Sequence, residues 1–176
     1  MHVRRLSTLA AMTFGLVAFA VMPASAGSGN STVIGEGPDL VASSISPNPF
    51  ADATTEVSAA NVGNRNLQVT LDVQGVDAPA GTTFGAHVHV NPCGTDPAAS
   101  TLGAGAHYSG PPTSGPFERH EIWLDFTVNA HGRGHAVATR QFTIGSSARS
   151  VIIHANPTDP DNGVAGARLA CTNITF

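Results

Sequence analysis

The chain of 176 residues contains no lysine, one tryptophan, one tyrosine and two cysteines, and only 11% of it is charged. Each scarcity excludes something. All eight basic residues are arginines, set against twelve acids, and recognition of a phosphate backbone requires clustered positive charge, so nucleic acid is not an expected partner. Long hydrophobic runs are also missing, with one exception at the start. Behind the basic opening MHVRR, residues Leu9 to Val21 are apolar apart from interruptions such as Thr13 and Gly15, and Ala24-Ser25-Ala26 follows. This is the layout of a cleaved signal peptide over residues 1–26, too short and too interrupted for a membrane span of roughly twenty apolar residues. The expected location is therefore secreted or otherwise extracytoplasmic, with no span in the mature chain.

Cleavage leaves residues 27–176, enough for one domain with its own core. Without Arg4 and Arg5 the formal charge is about −6. Any recognition of a small anion must then come from a local arginine, because the bulk field repels anions. In an oxidising compartment the two cysteines, Cys93 and Cys171, read by default as one disulfide. Closing so long a loop would stabilise by up to about 4 to 5 kcal/mol in the chain-entropy picture. The competing reading is two free thiols that bind copper or zinc, although no Cys-x-x-Cys spacing occurs.

What the chain has in quantity is short segments rich in Val, Ile, Thr and Phe, separated by Gly, Pro, Asn and Asp, the pattern of an all-β sandwich or barrel. Strands are expected at Glu56–Asn61, Leu67–Val76, Thr83–Val90, Glu121–Asn129, His135–Ile144, Ser150–His154 and Arg168–Thr175. Residues 27–39, small and polar, read as a flexible leader or a weak first strand, and the domain proper is placed at 40–176. Two longer irregular stretches, Asn91 to Arg119 and Ala155 to Ala167, are candidates for functional loops. Both begin just after histidines at strand ends. The segment from Asp39 to Asn64 also has the look of an immunoglobulin-like adhesion repeat, but such a module would leave too few strands for the rest of the chain.

Within GAHVHVNPCG, His87 and His89 lie two apart on a strand and so share one face. Alone, the pair is weak evidence and reads more readily as polar decoration of a solvent face. His107 in GAGAHYSG and His154 at the end of the apolar VIIH shift the reading, since an unpaired polar side chain ending a buried strand is costly. Four imidazoles without a thiolate suit copper or zinc better than calcium or magnesium.

The run PAGTTFGAHVHVNPC, the stretch GAGAHYSGP, the strand SVIIHA and the closing GVAGARLAC resemble, in order and approximate spacing, the copper,zinc superoxide dismutases. The resemblance runs from about Leu67 to the C-terminus. It implies an eight-stranded Greek-key β-barrel with copper between two long loops, held by His87, His89, His107 and His154. It further implies a catalytic role for His107 at the position that bridges copper and zinc, a disulfide between Cys93 and Cys171, and a substrate-guiding catalytic role for Arg168. A guanidinium, permanently charged and rich in donors, suits that task.

The pattern breaks at zinc. Between His107 and Glu121 the only other histidine is His120, Trp123 stands where an aspartate is expected, and Pro111, Pro112 and Pro116 occupy a shortened loop. The second loop is short too, with thirteen residues between His154 and Arg168. These departures resemble the copper-only branch of the family, so zinc is not expected. The second nitrogen of His107 then needs another partner. Glu121 is the candidate, with His120 as a further one; Asp125 would share a face with Glu121 and Trp123 on a regular strand. His131 and His135 flank a Gly-Arg-Gly turn and read as surface residues. The expectation is a secreted superoxide dismutase using copper alone, with superoxide as substrate. Its rival is a non-catalytic copper storage or delivery protein of the same fold. Oligomeric state is not legible.

Overall fold

The computed structural model describes residues 31–37, 40–62, 66–94, 96, 101–111 and 114–175. Residues 1–26, expected to be a signal peptide, lie outside them. The regular structure is nearly all strand: β1 (Ser31–Gly37), β2 (Leu40–Ala42), β3 (Thr54–Val62), β4 (Asn66–Gln74), β5 (Thr83–Phe84), β6 (Ala86–His89), β7 (Phe126–Thr127), β8 (Gly134–Arg140), β9 (Ser150–His154) and β10 (Arg168–Asn173), with one short helix, α1 (Phe117–His120), among the described residues. They form two four-stranded antiparallel sheets, ordered β1-β3-β4-β8 and β2-β10-β9-β6, and a two-stranded ribbon of β5 and β7.

The two large sheets differ in a way their sequences explain. β3, β4 and β8 alternate, with Val57, Ala59, Leu67, Val69, Leu71, Ala136 and Ala138 turned inward and mostly polar neighbours outward, Val137 excepted, as a sheet with one wet face requires. β6 and β9 are buried on both faces. Val88, Val151 and Ile153 enter the main core, whereas Ile152 and Cys171 join Leu102 and Ala104 in a smaller cluster beneath the first loop. The unbroken apolar run of SVIIH follows from that double burial. Phe50, Phe84 and Phe126 close the core with ring centroids 4.9 to 6.3 Å apart, each such side chain contributing about 1.5 to 3 kcal/mol by burial.

Of the two readings of the first residues, 31–37 take the strand: β1 pairs antiparallel with β3 from Ser31↔Val62 to Gly37↔Val57, and since pairing is made by backbone groups, a small, polar composition does not prevent it. Two expectations change. The strand expected over Thr83–Val90 divides at Gly85 into β5 and β6. The one expected over Glu121–Asn129 survives as β7 plus isolated bridges, His87↔Trp123 and Ser109↔Glu121, because its first half meets β6 only through Leu124 N–H to the Ala86 carbonyl and Val88 N–H to the Ile122 carbonyl and then turns to the first loop. Its face alternation holds: Ile122, Leu124, Phe126 and Val128 are in the core, and Glu121, Trp123 and Asp125 take the other side.

Candidate metal centre

β6 carries His87 and His89 on the face opposite Val88, and both are fully buried beneath the loops. β9 runs antiparallel beside β6 and ends in His154. His107 is brought in by the returning first loop, which pairs with β6 through Tyr108 N–H to the Val88 carbonyl and Val90 N–H to the Ala106 carbonyl. The four imidazoles then converge: one ligand nitrogen from each lies within 4.8 Å of the others.

The far side of each ring is anchored, which fixes the near side. His89 Nδ1–H donates to the Gly105 carbonyl and His154 Nδ1–H to the Gly166 carbonyl, both at 3.1 Å. A carbonyl only accepts, so both Nε2 atoms must be unprotonated in the neutral rings. His87 is turned the other way, with Nε2 2.7 Å from the Thr158 hydroxyl. The remaining nitrogens, His87 Nδ1, His89 Nε2 and His154 Nε2, are buried without a hydrogen-bond partner. Three orphaned acceptors aimed into one space would be costly as a structural arrangement and are what a metal ion satisfies. The donor set therefore fits a nitrogen-ligated ion.

Burial, reinforced by the positive charge of neighbouring imidazoles and Arg168, lowers the His87 and His89 pKa from 6.5 to about 2. Burial also lowers that of His154, to about 4. All three are thus neutral, ligand-ready bases at pH 7.

His107 Nδ1 lies 2.9 Å from Glu121 Oε2, and the Trp123 indole N–H donates to the same oxygen at 2.8 Å. Burial alone would raise the Glu121 pKa, but these two hydrogen bonds outweigh it and hold the carboxyl below its ordinary value. An ionised Glu121 makes His107 Nδ1 the donor and leaves Nε2 for the cluster. Gly163 of the second loop, at φ +73°, sits over this trio, where an added Cβ would lie 3.4 Å from Glu121 Oε2 and 3.6 Å from Trp123; its left-handed backbone favours glycine.

His120 is not brought to the cluster. It is buried at the end of α1, with Nδ1 2.9 Å from the Ser109 hydroxyl and its ring against Phe117. His131 is on a turn, and the exposed His135 pairs with Asp72 across β8 and β4 at 2.8 Å. Trp123 and Thr158 were missed in the sequence. Trp123 registered only as the loss of an aspartate, although its i+2 relation to Glu121 placed both on one face.

Arg168 opens β10 opposite His154. Its guanidinium donates to the carbonyls of Thr101, at 2.7 Å, and Gly105, at 2.6 Å. Burial lowers its pKa below the ordinary arginine value, but an arginine keeps its charge at neutral pH. The Cys93–Cys171 disulfide ties the first loop to the middle of β10.

Two packed antiparallel sheets with a largely buried four-imidazole cluster beneath two loops, a donor set that fits a metal ion, define an all-β sandwich. Residues 51–174 match the family described as copper/zinc superoxide dismutase (SODC), and the chain belongs to that family, whose members bind copper. Among solved structures, the clock protein EA4 is 17% identical, with a TM-score of 0.56, over 82% of this chain and 95% of that one. A point mutant of a SOD-like protein from Bacillus subtilis is also 17% identical, with a TM-score of 0.56, over 80% and 97%. The SOD-like protein itself is 15% identical, with a TM-score of 0.52, over 81% and 99%. At these identities the likeness concerns the fold. No curated protein matches the chain. No helix among the described residues is long and apolar enough to cross a membrane, and the disulfide is consistent with an extracytoplasmic location.

Proposed function

We propose that the protein is a secreted superoxide dismutase working at a copper centre held by His87, His89, His107 and His154, without zinc. The observation that carries this reading is the convergence of the three orphaned buried nitrogens with His107 Nε2, in a chain of this family. The absence of zinc is supported by Glu121: its carboxylate already engages the second nitrogen of His107, the atom that a bridged zinc would need.

Copper bound there supplies the alternate one-electron acceptance and donation by which two superoxide anions and two protons become oxygen and hydrogen peroxide. The chain's own residues do the rest. Arg168, fixed by two carbonyls, offers a positive charge to an anion that the net negative chain would otherwise repel. His107 holds a proton on Nε2 when that nitrogen is free and delivers it to the reduced oxygen, water supplying the second. Glu121 and Trp123 keep Nδ1 protonated, so that the ring exchanges its proton only on the side facing the cluster.

Metal analysis of purified protein together with a superoxide decay assay tests this. Copper near one per chain, little zinc and fast decay are expected. Arg168→Ala should lower kcat/KM about 10-fold, with a weaker salt dependence. Stoichiometric zinc overturns the copper-only reading, and tight copper without decay points instead to a storage or delivery protein. Glu121→Gln, whose amide can donate as well as accept, should leave copper bound yet alter the pH profile of turnover. An unchanged profile would remove Glu121 from the mechanism.

A further inference from the structure

His87 is anchored differently from the other two buried histidines. His89 and His154 meet backbone carbonyls, whereas His87 Nε2 meets a hydroxyl, Thr158 Oγ1, which either donates or accepts. The ambiguity is removed one step further out. Thr158 Oγ1 lies 2.6 Å from Asp125 Oδ1 as donor, and Thr158 N–H donates to Asp125 Oδ2 at 2.8 Å. A carboxylate only accepts, so the single hydroxyl proton is committed to Asp125, and the oxygen has only lone pairs to offer His87. His87 must then carry its proton on Nε2 and leave Nδ1 bare, the nitrogen that faces the cluster.

Two further observations show that the contact is built in. Ala86 N–H also bonds Asp125 Oδ1, at 3.2 Å, so one carboxylate ties the strand bearing His87 to the loop bearing Thr158. At Gly85 the loop approaches so closely that a Cβ would lie 2.7 Å from Asn156 O and 2.9 Å from Thr158 Oγ1. Only glycine lets the hydroxyl reach the imidazole.

We propose that Thr158 and Asp125 form a carboxylate–hydroxyl–imidazole relay that sets the tautomer and orientation of His87. Thr158 is thus a positioning residue: it touches neither metal nor substrate and acts through the ring. The consequence for copper rests on the functional reading above; the consequence for the tautomer does not.

The test compares wild type with Thr158→Val, which removes the hydroxyl at constant shape, and Thr158→Ser, which restores it; both keep the backbone N–H bond to Asp125. In metal-free, ¹⁵N-labelled protein, imidazole correlation spectra should show His87 protonated on Nε2 in wild type and Thr158→Ser, and a mixture of tautomers in Thr158→Val. Chelator competition should find Cu(II) bound about 10- to 100-fold more weakly by Thr158→Val, with a changed electron paramagnetic resonance spectrum, and close to wild type by Thr158→Ser. The relay is overturned if His87 carries its proton on Nδ1 in wild type, or if Thr158→Val matches wild type in tautomer. A Thr158-dependent tautomer in a protein that fails to bind copper would sink the functional reading and leave the relay standing.

Discussion

Stripped of metal by a chelator, the protein should unfold as the pH falls from 6.5 toward about 4.5, while the copper-loaded protein stays folded well below that. The folded-state pKa values of His87 and His89 drop to about 2 and that of His154 to about 4, from an ordinary value of 6.5. Below 6.5 the unfolded chain takes up protons that the folded chain refuses, so the associated stability is complete above that pH and is lost as pH falls. Each such histidine removes about 1.4 kcal/mol per pH unit. The three together approach 4 kcal/mol per unit until His154 begins to protonate near pH 4, and coupling within the cluster makes this an upper figure. Two pH units then remove about 8 kcal/mol, comparable with the whole stability of a typical domain, about 5 to 15 kcal/mol. A bound ion occupies the same nitrogens, so protons must first displace it. Circular dichroism and Trp123 fluorescence against pH, with and without copper, measure the gap. Coincident acid midpoints would mean that these nitrogens do not bind the added metal.

The part of this site legible in the sequence is the part made by regular backbone. His87 and His89 share a face because any strand alternates, and Glu121, Trp123 and Asp125 share one even though the first half of the strand they were assigned to pairs only through isolated bridges. What stayed hidden depends on how loops settle on the sheet. The Asp125–Thr158 contact joins residues 33 apart through a close approach at Gly85 that no local pattern encodes. His120, one residue before Glu121, was kept as a further candidate beside His107, yet a single turn of helix sends it to Ser109. Strand β1 was ambiguous because backbone pairing leaves little mark on composition. The double burial of β9 was visible as the absence of alternation in VIIH, but that of β6, whose AHVH alternates, was not, and only the cover of the first loop explains both.

That cover is the basis of the second large effect. Replacing both cysteines by serine, Cys93→Ser with Cys171→Ser, should cost about 4 to 5 kcal/mol of stability, since the bond spans 78 residues. The loss should reach the metal centre as well. Cys93 packs on the cluster of Leu102, Ala104, Ile152 and Cys171, and the loop folds back there through Gly94 N–H to the Leu102 carbonyl and Asn91 N–H to the Ala104 carbonyl. The same turn presents the Thr101 and Gly105 carbonyls to Arg168, and the Gly105 carbonyl also accepts from His89 Nδ1. One carbonyl thus couples the arginine to a histidine of the cluster, and the disulfide holds the loop that carries it. Urea unfolding should show the stability loss. In the copper-loaded double-serine protein, under conditions where it is still folded, kcat/KM should fall toward that of Arg168→Ala. Adding Arg168→Ala to that background should then cost clearly less than the about 10-fold loss expected in wild type, the non-additivity of residues acting as one unit. Full additivity, or a double-serine protein within about 1 kcal/mol of wild type, would show that the loop keeps its place without the bond.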